Sequence, residues 1–477
     1  MGVITNPPAK SCAVPSKDLT ALVQSEDGAA QDFAGAAVAL RSIGCRTNQE
    51  EMFALKGALA KRGFSVVDSL DNAQIIIVNT CSVTSLTESK TARFLRVINN
   101  KHPAANILVT GCFAQQHGEA LLKQSGVKWV VGNAHKHSIP SLLADQATNL
   151  LIDTGQQGNE TLFWEDCLLD PLQSDRTRFS LKIQEGCDFK CSYCIVPALR
   201  GPSRSAPARR MLDVFKRAVD MGYKEIVLTG THIGQYGDHT NNVNDHNKTG
   251  GLEELITQFL KIEGDYRIRL SSLDPRDLSD TLITMAGEEK RVCDHLHVSV
   301  QSLCADILSS MNRPGKELDA LIERLSAFRQ KYPNAALGGD FIVGHPGESD
   351  AMFETTFAGV KQADFTYGHV FRYSKRPGTP AAQRSDQIAE SVKKTRGDAL
   401  RVLLQSNRDV FLYSQVSRPL CILIEDAEPV RGVSSNYIRV EVPKTSAQKN
   451  SWMEVRLNGK TRGVYCLAEF LNGEKYE

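Results

Sequence analysis

The 477-residue sequence has no run approaching the roughly 18 to 20 apolar residues of a membrane span. Met1 to Asp32 lacks the positive region and apolar core of a secretory signal. Its Ala, Ser, Pro and Gly content reads as a loosely ordered leader over residues 1–35. Charge of one sign is missing too: 56 Lys and Arg stand against 55 Asp and Glu, a net +1. No overall charge draws such a chain to nucleic acid, so contact with RNA must come from local patches. No acid–base dyad stands out. The absence of spans and signals reads as a cytoplasmic protein, and the length suits about three domains.

What the sequence does contain is cysteine. Twelve of them in a long chain of cytosolic character point to metal or redox use rather than a disulfide framework. Three lie in Glu185-Gly186-Cys187-Asp188-Phe189-Lys190-Cys191-Ser192-Tyr193-Cys194. With no fourth cysteine nearby, one loop can wrap three sulfurs around three corners of a [4Fe–4S] cube. A zinc loop is the competing reading, but a closed zinc site takes four protein ligands. Burial as apolar cysteines is another, and the polar Asp188, Lys190 and Ser192 argue against it. Cys12, Cys167, Cys293, Cys304, Cys421 and Cys466 show no partner spacing and read as structural.

Three more thiols share a position rather than a spacing. Apolar runs over residues 36–44, 73–79 and 106–110 alternate with helical patterns over 47–62 and 89–102, which predicts a parallel sheet. Cys45, Cys81 and Cys112 each follow the carboxyl end of one of these strands, the edge where open parallel sheets bind ligands. Either three unrelated buried thiols coincide there, or the rim is a second three-cysteine cluster site.

Clear periodicity fades between about 145 and 176, which suggests a connector. Strand candidates then recur at 179–183, 224–228, 267–270, 295–300, 339–343 and 367–371, with helices such as 211–221 and 318–331 between them. Six strand–helix units short of eight predict a partial TIM-type barrel with its site at the carboxyl ends of the strands. A helical, basic stretch over 386–407 follows. Short strands at 420–424, 437–442, 452–457 and 463–470, parted by turns around 432–436 and 458–460, predict a small all-β barrel of oligonucleotide-binding type.

The pattern Cys-x3-Cys-x-aromatic-Cys resembles the cluster loop of the radical S-adenosylmethionine (SAM) enzymes. That resemblance implies an open iron that chelates the amino and carboxylate groups of SAM. It also implies one-electron cleavage of SAM to methionine and a 5′-deoxyadenosyl radical, chemistry beyond side chains. Over roughly residues 37 to 471 the chain is similar to the methylthiotransferases. The similarity is carried by Gly44-Cys45-Arg46-Thr47-Asn48-Gln49, Asn79-Thr80-Cys81-Ser82-Val83-Thr84, Gly111-Cys112-Phe113-Ala114-Gln115 and Val130-Val131-Gly132-Asn133.

The resemblance implies an α/β architecture. Residues 36–148 would form an amino-terminal parallel α/β auxiliary-cluster domain and 149–176 the connector. Residues 177–407 would be a (β/α)6 radical-SAM barrel, and 408–477 a TRAM-like, RNA-binding β-barrel. Two [4Fe–4S] clusters are implied: Cys187, Cys191 and Cys194 hold the radical-generating one, and Cys45, Cys81 and Cys112 an auxiliary one that handles sulfur. All six cysteines therefore count as catalytic. Candidate SAM contacts are Tyr193, Thr229, Gly230, Ser272, Gln301, Asp340 and Gly344. Two positions depart from the family pattern, Leu303-Cys304 after Gln301-Ser302 and His345 before Pro346-Gly347-Glu348.

Several stretches look closest to the bacterial branch that modifies threonylcarbamoyladenosine at tRNA position 37. The longest runs from His369 to Ala381, and the isopentenyladenosine branch typically has arginine where Thr84 stands. The implied reaction is methylthiolation of carbon 2 of that base in the anticodon loop, using two SAM per turnover. It would need a reducing partner such as flavodoxin or ferredoxin and a sulfur donor. Isopentenyladenosine and a ribosomal-protein aspartate are the alternative substrates, and a non-catalytic iron–sulfur carrier or RNA-binding protein is the alternative of another class. Arg200, Arg204, Arg209 and Arg210 form a basic stretch that either pairs with phosphates or is a solvated loop. Arg431, Arg439, Lys444, Lys460 and Arg462 pose the same choice in the last domain.

Overall fold

The computed structural model describes residues 35–144, 150–152, 171, 177–237, 251–416, 418–443 and 445–471. Residues 1–34 of the leader, most of the connector, Cys12, Cys167 and Lys444 lie outside them.

The first unit is a six-stranded parallel sheet. Its strands are β1 (Ala37–Ser42), β2 (Ser65–Val67), β3 (Ile75–Thr80), β4 (Asn106–Gly111), β5 (Val127–Val131) and β6 (Leu150–Ile152), in spatial order β2-β1-β3-β4-β5-β6. Helices cover both faces, so β3, Ile-Ile-Ile-Val-Asn-Thr, is buried along its whole length. Ile75, Ile76, Ile77 and Val78 are each 0% exposed, and burying such a side chain contributes about 1.5–3 kcal/mol. The helix Ser85–Lys101 starts where the Thr84 hydroxyl accepts from the Thr87 N–H at 3.2 Å. The order β1-β3-β4 matters most, because it makes the strands that precede Cys45, Cys81 and Cys112 immediate neighbours.

The second unit has six parallel strands in chain order. They are β7 (Arg178–Glu185), then, after a two-residue antiparallel edge β8 (Arg204–Ser205), β9 (Glu225–Gly230), β10 (Arg267–Leu270), β11 (His295–Gln301), β12 (Ala336–Val343) and β13 (Tyr367–Arg372). β10 and β11 meet through the isolated bridges Ile268–Val292 and Leu273–Val298, so the barrel is incomplete. Its outer layer packs through rings such as Phe215 stacked on Phe259 at 4.1 Å. The helical stretch expected over 386–407 is the 25-residue helix Glu390–Ser414, which lies against β13 and buries Leu400 and Leu404 in the barrel core.

The last unit is a closed five-stranded barrel: β14 (Pro419–Ala427), β15 (Val430–Ser434), β16 (Arg439–Val442), β17 (Trp452–Arg462) and β18 (Tyr465–Phe470), in order β14-β15-β16-β18-β17. Two expected turns are strand instead. Val430–Ser434 pairs on both sides, and β17 runs through Asn458-Gly459-Lys460 because a register shift between Leu457 and Thr461 absorbs Gly459 at φ 77°. The turn comes later, at Gly463.

A buried carboxylate docks this barrel on the central unit. Glu225 accepts from Arg267 and Arg269 at 2.6 and 2.7 Å, and the same guanidinium groups donate to the carbonyls of Val433, Ser434 and Ser435. Arg431 and Arg462 both pair with buried Glu441, and Arg462 remains largely exposed.

Candidate active site

β7 ends at Glu185, and the chain turns at Gly186 with φ 80°. A Cβ there would lie 1.9 Å from the Pro202 carbonyl oxygen, so only glycine lets the loop start in this place. The loop is pinned from several sides. The Cys187 N–H donates to Gly201 O at 3.0 Å, the Ser192 N–H to Met311 O at 2.9 Å, and the Ser192 hydroxyl to Ser310 O at 2.8 Å. Cys187 Sγ lies 3.5 Å from His232 Nδ1, and the Arg313 guanidinium reaches Cys191 Sγ at 3.7 Å. Burial, reinforced by the charges of Cys191 and Cys187, pushes the Cys194 thiol up to about 12. Burial alone would lower the pKa of His232, but hydrogen bonds to Asp277 and Cys187 outweigh it and raise it to about 9. Three thiols in one loop, two of them beside cationic partners, fit a cluster bound as thiolates.

The other trio meets at the rim of the first sheet. Gly44, with φ 132°, makes room for Cys81: a Cβ would lie 2.2 Å from Cys81 Cβ and 3.0 Å from its Sγ. Cys112 opens the helix Cys112–Leu122 directly after β4, and Asn133 Nδ2 faces its sulfur at 3.9 Å. The hydrogen bond from Cys81, with help from Arg200 and against burial, brings Cys45 down to about 6. The same bond and burial push Cys81 up, and the charges of Cys45 and Cys112 add to it. Gly44 therefore lets the chain before Cys45 approach Cys81 closely, and the three thiols stand beyond the ends of adjacent strands.

A cavity of about 270 Å³ lies against Cys194 of one trio and against the residues just after Cys81 of the other. Tyr193, Cys194, Ile195 and Val196 form one wall, and Val83 and Thr84, directly after Cys81-Ser82, form another. Gln301, Asp340, Ile342 and the run Phe371 to Ser374 close it from the ends of β11, β12 and β13. Gln301 holds a left-handed φ of 65° at an irregularity in β11, a strained backbone of the kind that collects at binding sites. Of the expected SAM contacts, the structure brings Tyr193, Gln301 and Asp340 onto this cavity. Thr229, Gly230, Ser272 and Gly344 are not part of its lining. Ser272 Oγ is nonetheless buried with no hydrogen-bond partner among the described residues. Gly344 is required by packing, because a Cβ would lie 2.3 Å from Lys393 Cγ.

Two networks escape sequence reasoning. The first fixes Asp340: His297 Nε2 and His369 Nδ1 both donate to its Oδ1 at 3.1 Å. Burial would raise this carboxyl, yet the two imidazoles hold it well below the usual carboxylate range. The Tyr367 hydroxyl bridges His297 Nδ1 at 2.9 Å and His295 Nε2 at 2.7 Å. A signal existed in the period-2 spacing of His295 and His297.

The second network corrects the reading of Arg200 as a phosphate contact. Arg200 is 4% exposed and donates to Glu185 at 2.7 Å, Glu51 at 2.9 Å and Asn48 Oδ1 at 2.9 Å. Lys136 and Lys182 also pair with Glu51, and Lys182 with Glu185. Burial opposes ionisation of Glu185, but Arg200 and Lys182 bring it down to about 2. The only trace in sequence is Asn48 and Glu51, three residues apart on the helix that follows Cys45.

Residues 37–132 match the family described as Uncharacterized protein family UPF0004, and residues 181–358 match the Radical SAM superfamily. The chain is 32% identical over 429 residues to the threonylcarbamoyladenosine tRNA methylthiotransferase MtaB of Bacillus subtilis, covering 88% of this chain and 94% of that protein. It is 35% identical over 368 residues to the protein of that name from Thermotoga maritima, covering 76% and 81%. It is 31% identical over 437 residues to the tRNA-2-methylthio-N(6)-dimethylallyladenosine synthase of Agrobacterium fabrum, covering 89% and 92%. Among solved structures it shares its fold with the radical SAM methyltransferase TsrM of Kitasatospora setae, solved with cobalamin and a [4Fe-4S] cluster. That match has a TM-score of 0.51 at 14% identity and covers 73% of this chain and 77% of that one.

Proposed function

This chain belongs to the radical-SAM methylthiotransferase family, and we propose that it converts N6-threonylcarbamoyladenosine at tRNA position 37 to its 2-methylthio derivative. The observation that carries the reading is the single cavity walled by Tyr193 and Cys194 on one side and by Val83 and Thr84 beside Cys81 on the other. A substrate carbon held there would lie beside Cys194 of one trio and against the segment that follows Cys81 of the other. Thr84 supports the threonylcarbamoyl substrate over the isopentenyl one, because a short side chain lines the cavity where the other branch carries arginine.

An iron–sulfur cluster and SAM are the family's cofactors. When bound, they supply the radical that removes the carbon-bound hydrogen, with Cys187, Cys191 and Cys194 as the cluster's ligands. Cys45, Cys81 and Cys112 would hold a second [4Fe–4S] cluster that handles sulfur. The chain's own residues do the positioning. His232 and Arg313 place positive charge beside Cys187 and Cys191, and Asp340, kept ionised, offers an acceptor to a hydroxyl or ammonium donor in the cavity. Phe371, 44% exposed at the cavity wall, presents a ring to a base splayed out of an RNA loop. A small reducing protein and a sulfur donor complete the reaction in the cytoplasm, and among the described residues no helix is long and apolar enough to cross a membrane.

Nucleoside analysis of tRNA from a strain lacking this gene tests the substrate. The methylthio group should vanish from threonylcarbamoyladenosine and persist on isopentenyladenosine; the reverse would overturn the assignment. With purified protein, Cys191→Ala should abolish 5′-deoxyadenosine formation, whereas Cys81→Ala should leave it and stop sulfur insertion. Methylthiolated product from the Cys81 variant would contradict the two-cluster reading.

A further inference from the structure

Five ionisable side chains are buried together between the two trios: Glu51 and Glu185 against Lys136, Lys182 and Arg200. Among the described residues the group holds three basic side chains against two carboxylates, one cation more than its anions. Arg204 flanks the group, donating to the Arg200 carbonyl at 2.9 Å. Asn79 and Thr231 add neutral donors, to Glu51 at 3.0 Å and Glu185 at 3.3 Å. Burying charge is costly when it is not balanced, so an excess cation calls for an anion nearby.

Two amides connect this group to the three-cysteine rim. Asn48 Oδ1 accepts from both Arg200 at 2.9 Å and Cys45 Sγ at 3.3 Å, so one amide separates the guanidinium from the first thiol. Asn133, whose Nδ2 donates to Leu199 O at 2.9 Å beside Arg200, faces Cys112. Three thiolates gathered at that rim would supply the missing negative charge.

We infer that this network tunes the reduction potential of the iron–sulfur cluster at Cys45, Cys81 and Cys112 by burying one uncompensated positive charge beside it, with Arg200 as the positioning residue that fixes the two cysteine loops to each other. The inference rests on the reading that this trio holds a cluster. A buried cation stabilises the more negative, reduced state, and cluster potentials follow local charge and hydrogen bonding. At the reduced effective dielectric of a protein interior, a buried charge acts more strongly than a surface charge at the same distance.

The test is a redox titration followed by electron paramagnetic resonance on anaerobically reconstituted, full-length protein. The signal that SAM does not perturb reports the auxiliary cluster. Arg200→Gln and Lys136→Met each remove a positive charge and should lower its midpoint potential. Glu51→Gln removes a negative charge with little change of shape and should raise it. If Arg200→Gln fails to fold, the Lys136 and Glu51 variants still carry opposite signs. Unshifted potentials, or shifts of one sign in every variant as simple loosening would give, overturn the inference while leaving the two-cluster reading in place. Absence of any SAM-insensitive signal in the unsubstituted protein would remove both.

Discussion

Arg376, just beyond the last barrel strand, donates to the carbonyl of Ser82 at 3.1 Å, one residue past Cys81. The same guanidinium pairs with Glu88 at 2.7 Å and is 4% exposed. Beside it the Ser85 N–H donates to Ser374 Oγ at 3.0 Å. The cavity wall at Val83 and Thr84, just past Cys81, is therefore tied to the barrel by side chains.

Arg376→Leu should accordingly separate the two halves of the reaction. SAM cleavage, which needs only the radical loop, should stay near the unsubstituted rate, while methylthiolation falls by roughly 10²-fold, the loss expected from a misplacement of about 1 Å. Arg376→Lys should restore little, because one ammonium cannot reach a carbonyl and a carboxylate as the planar fork does. Assaying 5′-deoxyadenosine and methylthiolated RNA in the same reaction checks both.

Gly186→Ala should strike the other half. Left-handed backbone costs a side-chain-bearing residue about 1–2 kcal/mol, and here the methyl group also meets the Pro202 carbonyl. Iron at the radical loop and 5′-deoxyadenosine formation should both be lost. The Cys45, Cys81 and Cys112 site, on a different sheet, should keep its iron.

Much of this site is legible in sequence because it is local. Cysteines placed just after apolar strands mark a sheet edge, and Cys187 to Cys194 mark one loop. What was not legible depends on partners far apart in the chain. Arg200 sits in a basic stretch that looks solvent-facing until Glu51, 149 residues away, is folded against it. Gly432 to Ser434 read as a turn by composition, yet β14 and β16 flank them and make them strand. Composition reports a local preference, and tertiary pairing overrides it.

Glu225 is expected to govern how firmly the carboxyl-terminal barrel stays docked. Burial would raise its pKa, but Arg269, Arg267 and Arg178 hold it far below the usual carboxylate range. Glu225→Gln would leave buried guanidinium groups uncompensated, at a cost of about 3–5 kcal/mol. A depressed folded-state pKa stabilises above the unfolded value of about 4.3 and loses that contribution as pH falls toward the folded value. The gap between parent and variant should therefore be full at neutral pH and narrow in acid. Hydrogen exchange in β14 and β15 at both pH values measures it.

Iron analysis of the anaerobically reconstituted protein tests the central claim most directly, with Cys45, Cys81 and Cys112 replaced together by alanine as the control. The unsubstituted chain should hold about eight irons and the triple variant about four, as two cubes and one cube require. About four irons in both would contradict the account, because the early trio would then hold no cluster.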